Sequence, residues 1–315
     1  MSFSIEVRNE LARLFDDDKC CGMAELAALL RMGGTLLIRG SGVPGLTFAT
    51  ENAAVARKAL TLIRQEFAVA AEVVVSRARR LQKRNSYKIS IIPSSAVTQL
   101  LTSLGILAAG GWGGDDSSLL SKPCCRRAYL RGAFLGGGSV NKPEGDYHLE
   151  LVTANETFAR NLYKLLRGQR LPAGITERKR DFVVYLKDGD AISGFLGLVG
   201  AYQAVMNFEN VRVVKDMRNQ VNRLVNCETA NLQKTVNAAG RQLDAIRRIE
   251  AAGGLEQLPK SLRETARLRL ELPEATLQEL VEAAGGRLGK SGINHRLRKL
   301  EAIAAEIEAR DKRET

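Results

Sequence analysis

Apolar positions follow the same pattern in two distant parts of the chain. The runs Ala24–Met32 and Ala128–Leu135 place apolar residues at helical spacing, and each run ends in consecutive glycines. These are Gly33-Gly34 in the first stretch and Gly136-Gly137-Gly138 in the second. Short runs rich in β-branched and aromatic residues follow, and such runs predict strands. Both stretches are therefore predicted to form a helix that ends in a tight glycine turn and leads into a strand.

Further matches indicate that this pattern belongs to a tandem repeat. Cys20 and Cys124 each lie thirteen residues before the equivalent glycine, Gly33 or Gly137. Downstream, TENAAVAR at 50–57 matches TANETFAR at 153–160, and SAVTQLLTSLG at 95–105 matches DAISGFLGLVG at 190–200. Each copy is predicted to run helix, two strands, helix, two strands, helix, which makes the fold class α+β. Self-similarity at a near-constant offset is typical of an internal duplication.

One glycine motif inside the first copy imitates a cofactor site. GSGVPG at 40–45 matches the dinucleotide-binding fingerprint G-x-G-x-x-G letter for letter. That fingerprint must open a helix whose N-terminus holds the pyrophosphate. Here Pro44 is followed by Leu46-Thr47-Phe48, which predicts another strand. We interpret the motif as a hairpin turn, and we expect no cofactor.

The last third of the chain has an all-helical pattern. A long helix is predicted over Glu228–Ala251, followed by a helix opened by the capping-box pattern Ser261-Leu262-Arg263-Glu264. Thr276-Leu277-Gln278-Glu279 is a second capping box, and Gly285-Gly286 predicts the end of that helix. Ser291 is a candidate N-cap for a third helix. Short helices separated by a tight glycine turn predict a helix-turn-helix extending from Thr276 to Glu308.

Positive charge on the third helix of this module favours DNA as its ligand. No acidic residue occurs between Gly285 and Leu300. Asn294 and His295 fall in the first turns, the part of a recognition helix that enters the major groove. The candidate DNA-binding side chains are Arg287, Lys290, Ser291, Asn294, His295, Arg296, Arg298 and Lys299. Asn and Arg suit base edges, whereas Lys suits phosphates. The alternative is a solvated basic face on a structural helix.

Overall charge agrees with a polyanionic partner. The 315 residues carry a net charge of +12, which favours nucleic acid as a partner. A second acid-free basic run contains Arg77, Arg79, Arg80, Lys83, Arg84 and Lys88. These side chains could contact phosphates without reading sequence, or they could simply occupy an exposed hairpin. Arg178-Lys179-Arg180 occupies the corresponding turn of the second copy and favours a shared electropositive face.

The chain also has five cysteines, four of them in the adjacent pairs Cys20-Cys21 and Cys124-Cys125. We expect thiols rather than disulfides, because a disulfide between two adjacent cysteines would be strained and the chain has no secretory signal pattern. No apolar run approaches the about 20 residues of a membrane helix, so we expect a cytoplasmic protein. A four-thiolate zinc site is the alternative reading of the pairs, but such ligands are usually spaced C-x₂₋₄-C. We therefore expect small buried thiols and no metal; His148 and His295 each lack a nearby ligand partner.

The repeated order of elements resembles that of the LAGLIDADG homing endonucleases. The resemblance implies two motif helices that cross at the centre of a pseudo-symmetric domain, with a saddle of strands over the DNA. Ala27-Ala28 and Gly132-Ala133 supply the small side chains that a close crossing requires. In that family an acidic residue at the end of each motif helix binds divalent cations for phosphodiester cleavage. The equivalent positions here are Gly33 and Gly137, so the nuclease is predicted to be lost.

The complete chain resembles the WhiA family of bacterial regulators. The strings that carry the resemblance are Met1-Ser2-Phe3-Ser4, Tyr129–Phe134 with its following glycines, Tyr147-His148-Leu149-Glu150 and Leu288–Leu297. The resemblance implies a double-stranded-DNA-binding protein without nuclease activity that acts in cell division, chromosome segregation or sporulation and associates with the nucleoid. In the sporulating lineage of the family the resemblance adds a Wbl-type iron–sulfur protein, acting with RNA polymerase, as a partner, and the residues of this chain do not by themselves specify it. The oligomeric state stays open.

Six segments are predicted on this basis. They are an N-terminal helix over 1–20, a first repeat over 21–107, a linker over 108–121, a second repeat over 122–205, a connecting segment with the long helix over 206–258, and the helix-turn-helix domain over 259–315.

Two competing functions remain at this point. One is an active LAGLIDADG-type homing endonuclease, and the other is a nucleoid protein that binds DNA without sequence preference.

Overall fold

The computed structural model describes residues 2–314 except 39–42, 68, 78–84, 109–110, 113, 115 and 287. The chain divides into two compact units, Met1–Asp216 and Met217–Thr315. Each unit has its own cluster of buried apolar side chains.

The first unit begins with helix α1 (Phe3–Leu11), and the two repeats follow. The first repeat consists of α2 (Lys19–Gly33), β1 (Gly34–Ile38), β2 (Pro44–Thr50), α3 (Ala53–Phe67), β3 (Ala71–Arg77), β4 (Asn85–Ile91) and α4 (Ser95–Ser103). The connection contains two short strands, β5 (Leu107–Ala108) and β6 (Gly111–Trp112), and a 3₁₀ helix (Ser117–Leu120). The second repeat consists of α5 (Pro123–Gly137), β7 (Gly138–Val140), β8 (Leu149–Thr153), α6 (Glu156–Gly168), β9 (Gly174–Arg178), β10 (Asp181–Leu186) and α7 (Gly189–Val199).

The sheets confirm the α+β fold and the duplication. Each repeat forms a four-stranded antiparallel sheet, and the orders β1-β2-β4-β3 and β7-β8-β10-β9 are equivalent. One apolar core contains residues of both repeats, so the two copies form a single domain. The pairing of Ile38 with Pro44 confirms that GSGVPG joins two strands of a hairpin, although residues 39–42 lie outside the described part of the chain.

The two motif helices begin earlier than predicted. Helix α2 starts at Lys19 and α5 at Pro123, in each case five residues before the predicted start. Proline is well suited to the first helical position, where its missing N–H is not needed. The cysteine pairs consequently lie in the first turns of these helices rather than before them.

The predicted close crossing of the motif helices is confirmed. Ala27, Ala28 and Ala133 are fully buried between α2 and α5. A Cβ atom placed on Gly132 would lie 2.1 Å from the carbonyl oxygen of Glu25. Any larger side chain at this position would push the two helices apart.

The glycines at the ends of the motif helices have a different role from the predicted one. Gly34 and Gly138 have extended backbones, with φ of −87° and −86°, and Gly33 and Gly137 have no positive φ. Conformational freedom is therefore not the reason for glycine. Space is the reason: a Cβ on Gly33 would lie 2.7 Å from Cε2 of Phe48, and one on Gly137 would lie 2.9 Å from the carbonyl oxygen of Val152. The helix passes directly into the strand without a turn.

Helix α1 is fixed to the second repeat and to the start of the long helix α8 (Tyr202–Ala251). The Ser4 hydroxyl donates to the carbonyl oxygen of Val140 at 2.7 Å, and the Glu10 carboxylate accepts the amides of Gln203 and Ala204 at 2.7 and 3.0 Å. Helix α8 begins well before the predicted Glu228, because its first part packs residues such as Phe208 into the first unit.

The second unit contains the rest of α8, a 3₁₀ helix (Leu255–Gln257), α9 (Lys260–Glu271), α10 (Leu277–Ala283) and α11 (Lys290–Glu314). Its core residues come from the four α-helices and from Leu258, which follows the 3₁₀ helix: Ala245, Ile246, Ile249, Leu258, Leu262, Ala266, Leu280, Ile293, Leu297, Leu300 and Ala304. Among the described residues, every helix is too short or too polar to traverse a lipid bilayer.

One of the three N-terminal helix caps predicted in this unit is confirmed, and the other two are wrong. Thr276 and Glu279 form the predicted reciprocal capping box of α10. The prediction for Ser261 is wrong, since α9 begins at Lys260 after Pro259 without a side-chain cap. The prediction for Ser291 is also wrong, because α11 already begins at Lys290.

Candidate nucleic-acid interface

Helices α10 and α11 are joined by a short turn built on left-handed glycines. Gly285 and Gly286 have φ of +76° and +69°, a conformation that L side chains rarely adopt. The Gly286 amide donates to the carbonyl oxygen of Val281 at 3.0 Å and closes the end of α10. Helix α11 then buries Ile293 and Leu297 against the core of the unit. This is the helix-turn-helix arrangement that the sequence predicts.

The opposite face of α11 carries exposed polar and basic side chains. These are Lys290, Ser291, His295, Arg298 and Lys299. Within the described part of the chain, Lys290, Arg298 and Lys299 form no ion pair, whereas Arg263, Arg267 and Lys312 of the same unit are paired with glutamates. Lys290, Arg298 and Lys299 are thus available to contact a polyanion.

Of the two side chains predicted to read base edges, Asn294 stays beside the exposed face and Arg296 is directed to a neighbouring helix. Asn294 is half-buried at the edge of the exposed face. Arg296 points to α9, where its guanidinium donates to the carbonyl oxygen of Ser261 at 3.2 Å and to the Thr265 hydroxyl at 3.5 Å. The structure therefore gives Arg296 a contact between helices, because its position on α11 borders the buried stripe. Arg287 lies outside the described residues.

A buried arginine that sequence reasoning missed supports the interface. Arg269 of α9 is almost completely buried, and its guanidinium donates to the carbonyl oxygens of Leu272 and Ala275 at 3.4 and 2.6 Å. Burial lowers the pKa of Arg269. Arg269 lies on the same inward-facing stripe of α9 as Leu262 and Ala266. A charged residue at a position where the helical spacing predicts an apolar one could therefore have indicated a buried arginine from the sequence. These contacts fix the connection that leads into α10.

The second basic run is described only in part. Arg79, Arg80, Lys83 and Arg84 lie outside the described residues, as does the side chain of Arg77. Lys88 is exposed on β4. In the second repeat, Arg178, Lys179 and Arg180 are exposed at the turn between β9 and β10, and Arg178 lies 3.5 Å from the Glu150 carboxylate. A phosphate-contacting role for the run stays a prediction.

The ends of the motif helices offer no carboxylates where the resemblance would place them. A cavity of about 350 Å³ beside this junction is lined by Arg31, Met32, Gly34, Thr35, Thr153, Ala154, Asn155 and Phe158. None of these described lining residues is acidic. The carboxylate of Asp116 lies 3.3 Å from the guanidinium of Arg31 and accepts the Tyr129 hydroxyl. That carboxylate is therefore already occupied by two partners.

The four paired cysteines converge, which the sequence-based interpretation did not foresee. The sulfur atoms of Cys20, Cys21, Cys124 and Cys125 all lie within 4.8 Å of one another. All are free thiols, as predicted, but only Cys21 and Cys125 are buried, and Cys20 and Cys124 are half-exposed. Burial raises the pKa of the Cys125 thiol to about 12. The equal position of each pair in the two repeats was the signal for this convergence.

Comparison with known families decides the relationship of this chain. Three domain models match successive parts: the WhiA N-terminal LAGLIDADG-like domain at residues 19–107, the WhiA LAGLIDADG-like domain at 126–218, and the WhiA C-terminal helix-turn-helix domain at 221–304. The chain belongs to the WhiA family.

WhiA proteins of other bacteria are similar over almost the whole chain. A protein of Heliobacterium modesticaldum named probable cell division protein WhiA is 52% identical over 306 residues, covering 96% of both chains. The protein of the same name from Desulforamulus reducens is 50% identical over 311 residues, covering 98% of this chain and 96% of the relative. The crystal structure of full-length WhiA from Thermatoga maritima has a TM-score of 0.61 at 26% identity and covers 97% of this chain and 99% of its own. The combination of a LAGLIDADG-like domain and a helix-turn-helix is thus shared by WhiA as a family.

Proposed function

We propose that this WhiA-family protein is a sequence-specific, DNA-binding transcription regulator that does not cleave DNA. The observation that carries the proposal is the exposed, unpaired basic face of α11, with Lys290, Arg298 and Lys299 around His295. Phosphate contacts by lysine and arginine position a protein on the duplex, and side chains near the start of the recognition helix read base edges. His295, Ser291 and Asn294 are the proposed reading residues. Arg296 is assigned to packing against α9 instead.

Loss of nuclease activity is part of the proposal. Metal-assisted cleavage of phosphodiesters needs carboxylates that hold divalent cations beside the scissile phosphate. Gly33 and Gly137 occupy the equivalent positions, and neighbouring atoms fill the space that a side chain would need there. The cavity beside them presents the cation of Arg31 rather than a pair of carboxylates.

The proposed cellular context comes from the relatives. Proteins that are about half identical to this chain are named probable cell division protein WhiA, and we propose a role in cell division, chromosome segregation or sporulation for this chain, in the cytoplasm and at the nucleoid. RNA polymerase and a Wbl-type iron–sulfur protein stay predictions that rest on the family resemblance alone.

The test begins with a genome-wide map of bound sites, which supplies the operator. Binding of the full-length protein to that site is then measured at several salt concentrations for Lys299→Ala and His295→Ala. Lys299→Ala should weaken binding to all sequences alike. It should also reduce the slope of the logarithm of the binding constant against the logarithm of the salt concentration by the contribution of about one phosphate contact. His295→Ala should cost about 1–3 kcal/mol at the operator and relax base preference.

Lys312→Ala is the matched control, because it removes the same charge from the far end of α11, where Lys312 is already paired with Glu308. Its binding should equal that of the wild type. Footprints without sequence preference would support a nucleoid-packing protein instead. Magnesium-dependent nicking of a plasmid by the purified protein, absent from a mock preparation, would support an active endonuclease.

A further inference from the structure

The four cysteines of the motif helices form a group of metal-ligating side chains that DNA binding does not use. Cys20 and Cys21 are the second and third residues of α2, and Cys124 and Cys125 are the second and third residues of α5. Their sulfur atoms all lie within 4.8 Å of one another, and those of Cys124 and Cys125 are 4.0 Å apart. Among the described residues, no other group of three or more cysteine, histidine or acidic side chains brings its ligand atoms together in this way.

The convergence results from the duplication and the helix crossing together. Helices α2 and α5 both have 15 residues, and the cysteines occupy the same positions in each. Gly132 allows this close approach, because a Cβ there would lie 2.1 Å from the carbonyl oxygen of Glu25. Each repeat therefore supplies two of the four thiols. The cysteines of each pair are adjacent rather than spaced C-x₂₋₄-C, but the helix crossing nevertheless brings all four sulfur atoms within 4.8 Å of one another.

The distances suit one tetrahedral metal ion. Zinc–thiolate bonds of about 2.3 Å place the four sulfurs of a tetrahedral site about 3.8 Å apart. The observed separations, at most 4.8 Å, reach that value through small side-chain rotations. An iron–sulfur cluster places inorganic sulfide and several irons between its ligands and needs cysteines that are farther apart. A tetrahedral set of four sulfurs is typical of zinc or of iron–sulfur sites, and the short separations favour a single ion such as zinc.

The surroundings suit the negative charge that such a site carries. Zinc with four thiolates has a net charge of about −2, and the cysteines lie in the first turns of two helices, where the helix dipole favours negative charge. The Lys122 ammonium lies 3.8 Å from the sulfur of Cys20. The half-exposed thiols of Cys20 and Cys124 give an ion access from solvent, whereas Cys21 and Cys125 are buried. The group thus has four soft ligands, compensating charge and an entry path.

We propose that Cys20, Cys21, Cys124 and Cys125 bind one structural Zn²⁺ ion that joins the beginnings of the two motif helices. The ion links the two repeats at the end opposite to the glycine junctions, so it stabilises the pseudo-symmetric domain. This site is independent of the DNA-binding face proposed above.

Elemental analysis of the full-length protein, purified anaerobically with a reductant and supplied with zinc, tests the proposal. We expect about one zinc per chain and, in a thiol-reagent titration of the native protein, reaction of Cys227 alone; Cys227 is exposed on α8. A chelator should release the zinc, make the four other thiols reactive and lower the melting temperature. Replacement by Co²⁺ should give the visible bands of tetrahedral cobalt thiolate.

Variants locate the ligands. Cys20→Ser and Cys124→Ser should each lose most of the zinc, and the control Cys227→Ser should retain it. If a serine variant fails to fold, as judged by circular dichroism, the metal content and cobalt spectrum of the wild type still decide. The proposal is overturned if the wild type contains far less than one zinc per chain with five reactive thiols, contains iron and sulfide instead, or is recovered under reducing conditions with disulfides in place of metal.

Discussion

Glu25 of α2 and Arg131 of α5 form a buried ion pair across the crossing of the two motif helices, with 2.9 Å between Oε2 and the guanidinium nitrogen. The other carboxylate oxygen of Glu25 lies 2.7 Å from the Lys58 ammonium, whose side chain is completely buried. Lys58 also donates to the carbonyl oxygen of Leu11 at 3.2 Å. Glu25 therefore contacts two buried cations at the centre of the pseudo-symmetric domain, and Arg131 has Asp16 as a second carboxylate partner.

Removal of this carboxylate should destabilise the first unit strongly. Glu25→Gln leaves the buried Lys58 ammonium without its carboxylate partner and leaves Arg131 with Asp16 alone, and we expect a loss of about 3–5 kcal/mol in the free energy of unfolding. Urea denaturation followed by circular dichroism measures it. Glu177→Gln is the control, since Glu177 is exposed on β9, and it should change stability by less than about 0.5 kcal/mol. Equal effects of both substitutions would show that the buried network contributes little.

Gly132 should not tolerate even a methyl group. In Gly132→Ala the new Cβ would lie 2.1 Å from a backbone oxygen of α2, so the helices must separate. We expect a loss of about 1–3 kcal/mol, measured by thermal or urea unfolding. Gly168→Ala provides the comparison, because no atom lies within 4 Å of a Cβ there. A Gly132→Ala protein as stable as Gly168→Ala would contradict the close crossing.

Arg296 should affect folding more than base preference. Arg296→Ala removes the hydrogen bonds to Ser261 and Thr265 on α9. We expect a loss of about 1–2 kcal/mol in the stability of the second unit. The ratio of affinities for operator and mutated sites should be unchanged at a temperature where the variant is folded. Relaxed base preference without a loss of stability would contradict this prediction and would indicate that Arg296 contacts DNA bases.

The capping box of α10 should make stability depend on pH. The Glu279 carboxylate accepts the backbone amide of Thr276 at 2.6 Å, and this bond lowers the pKa of Glu279 below its ordinary value. A depressed carboxyl pKa contributes stability above the pKa of the unfolded state, about 4.3, and loses it as the pH falls through the folded-state value. Glu279→Gln should therefore be less stable than the wild type at neutral pH.

Once the pH has fallen below the lowered folded-state pKa of Glu279, the two proteins should converge in stability, because the wild-type carboxyl is then protonated as well. Denaturation curves between neutral and acid pH measure the difference. Glu274→Gln serves as the reference, since Glu274 is exposed and precedes α10. A constant difference between wild type and Glu279→Gln at every pH would contradict an electrostatic contribution.

The element order and the Thr276–Glu279 cap could be predicted from sequence because each depends on residues close together in the chain, and the duplication could be predicted because the same local pattern recurs at a near-constant offset. Helical periodicity, strand alternation and capping patterns extend over a few residues. The glycines at 33 and 137 also revealed from sequence alone that no side-chain carboxylate exists there. The starts of α2 and α5 were missed because their cysteine-rich first turns lack apolar periodicity.

Contacts between distant segments were decided by the tertiary structure. The crossing of α2 and α5 brings the cysteine pairs together and places Glu25 between Lys58 and Arg131. The packing of the helix ends against Phe48 of β2 and Val152 of β8 explains Gly33 and Gly137 by the space available rather than by backbone freedom. The packing of α11 on α9 turns Arg296 inward and leaves Arg298 and Lys299 exposed. Local sequence specifies which elements form, but the direction and neighbours of a side chain depend on how those elements pack.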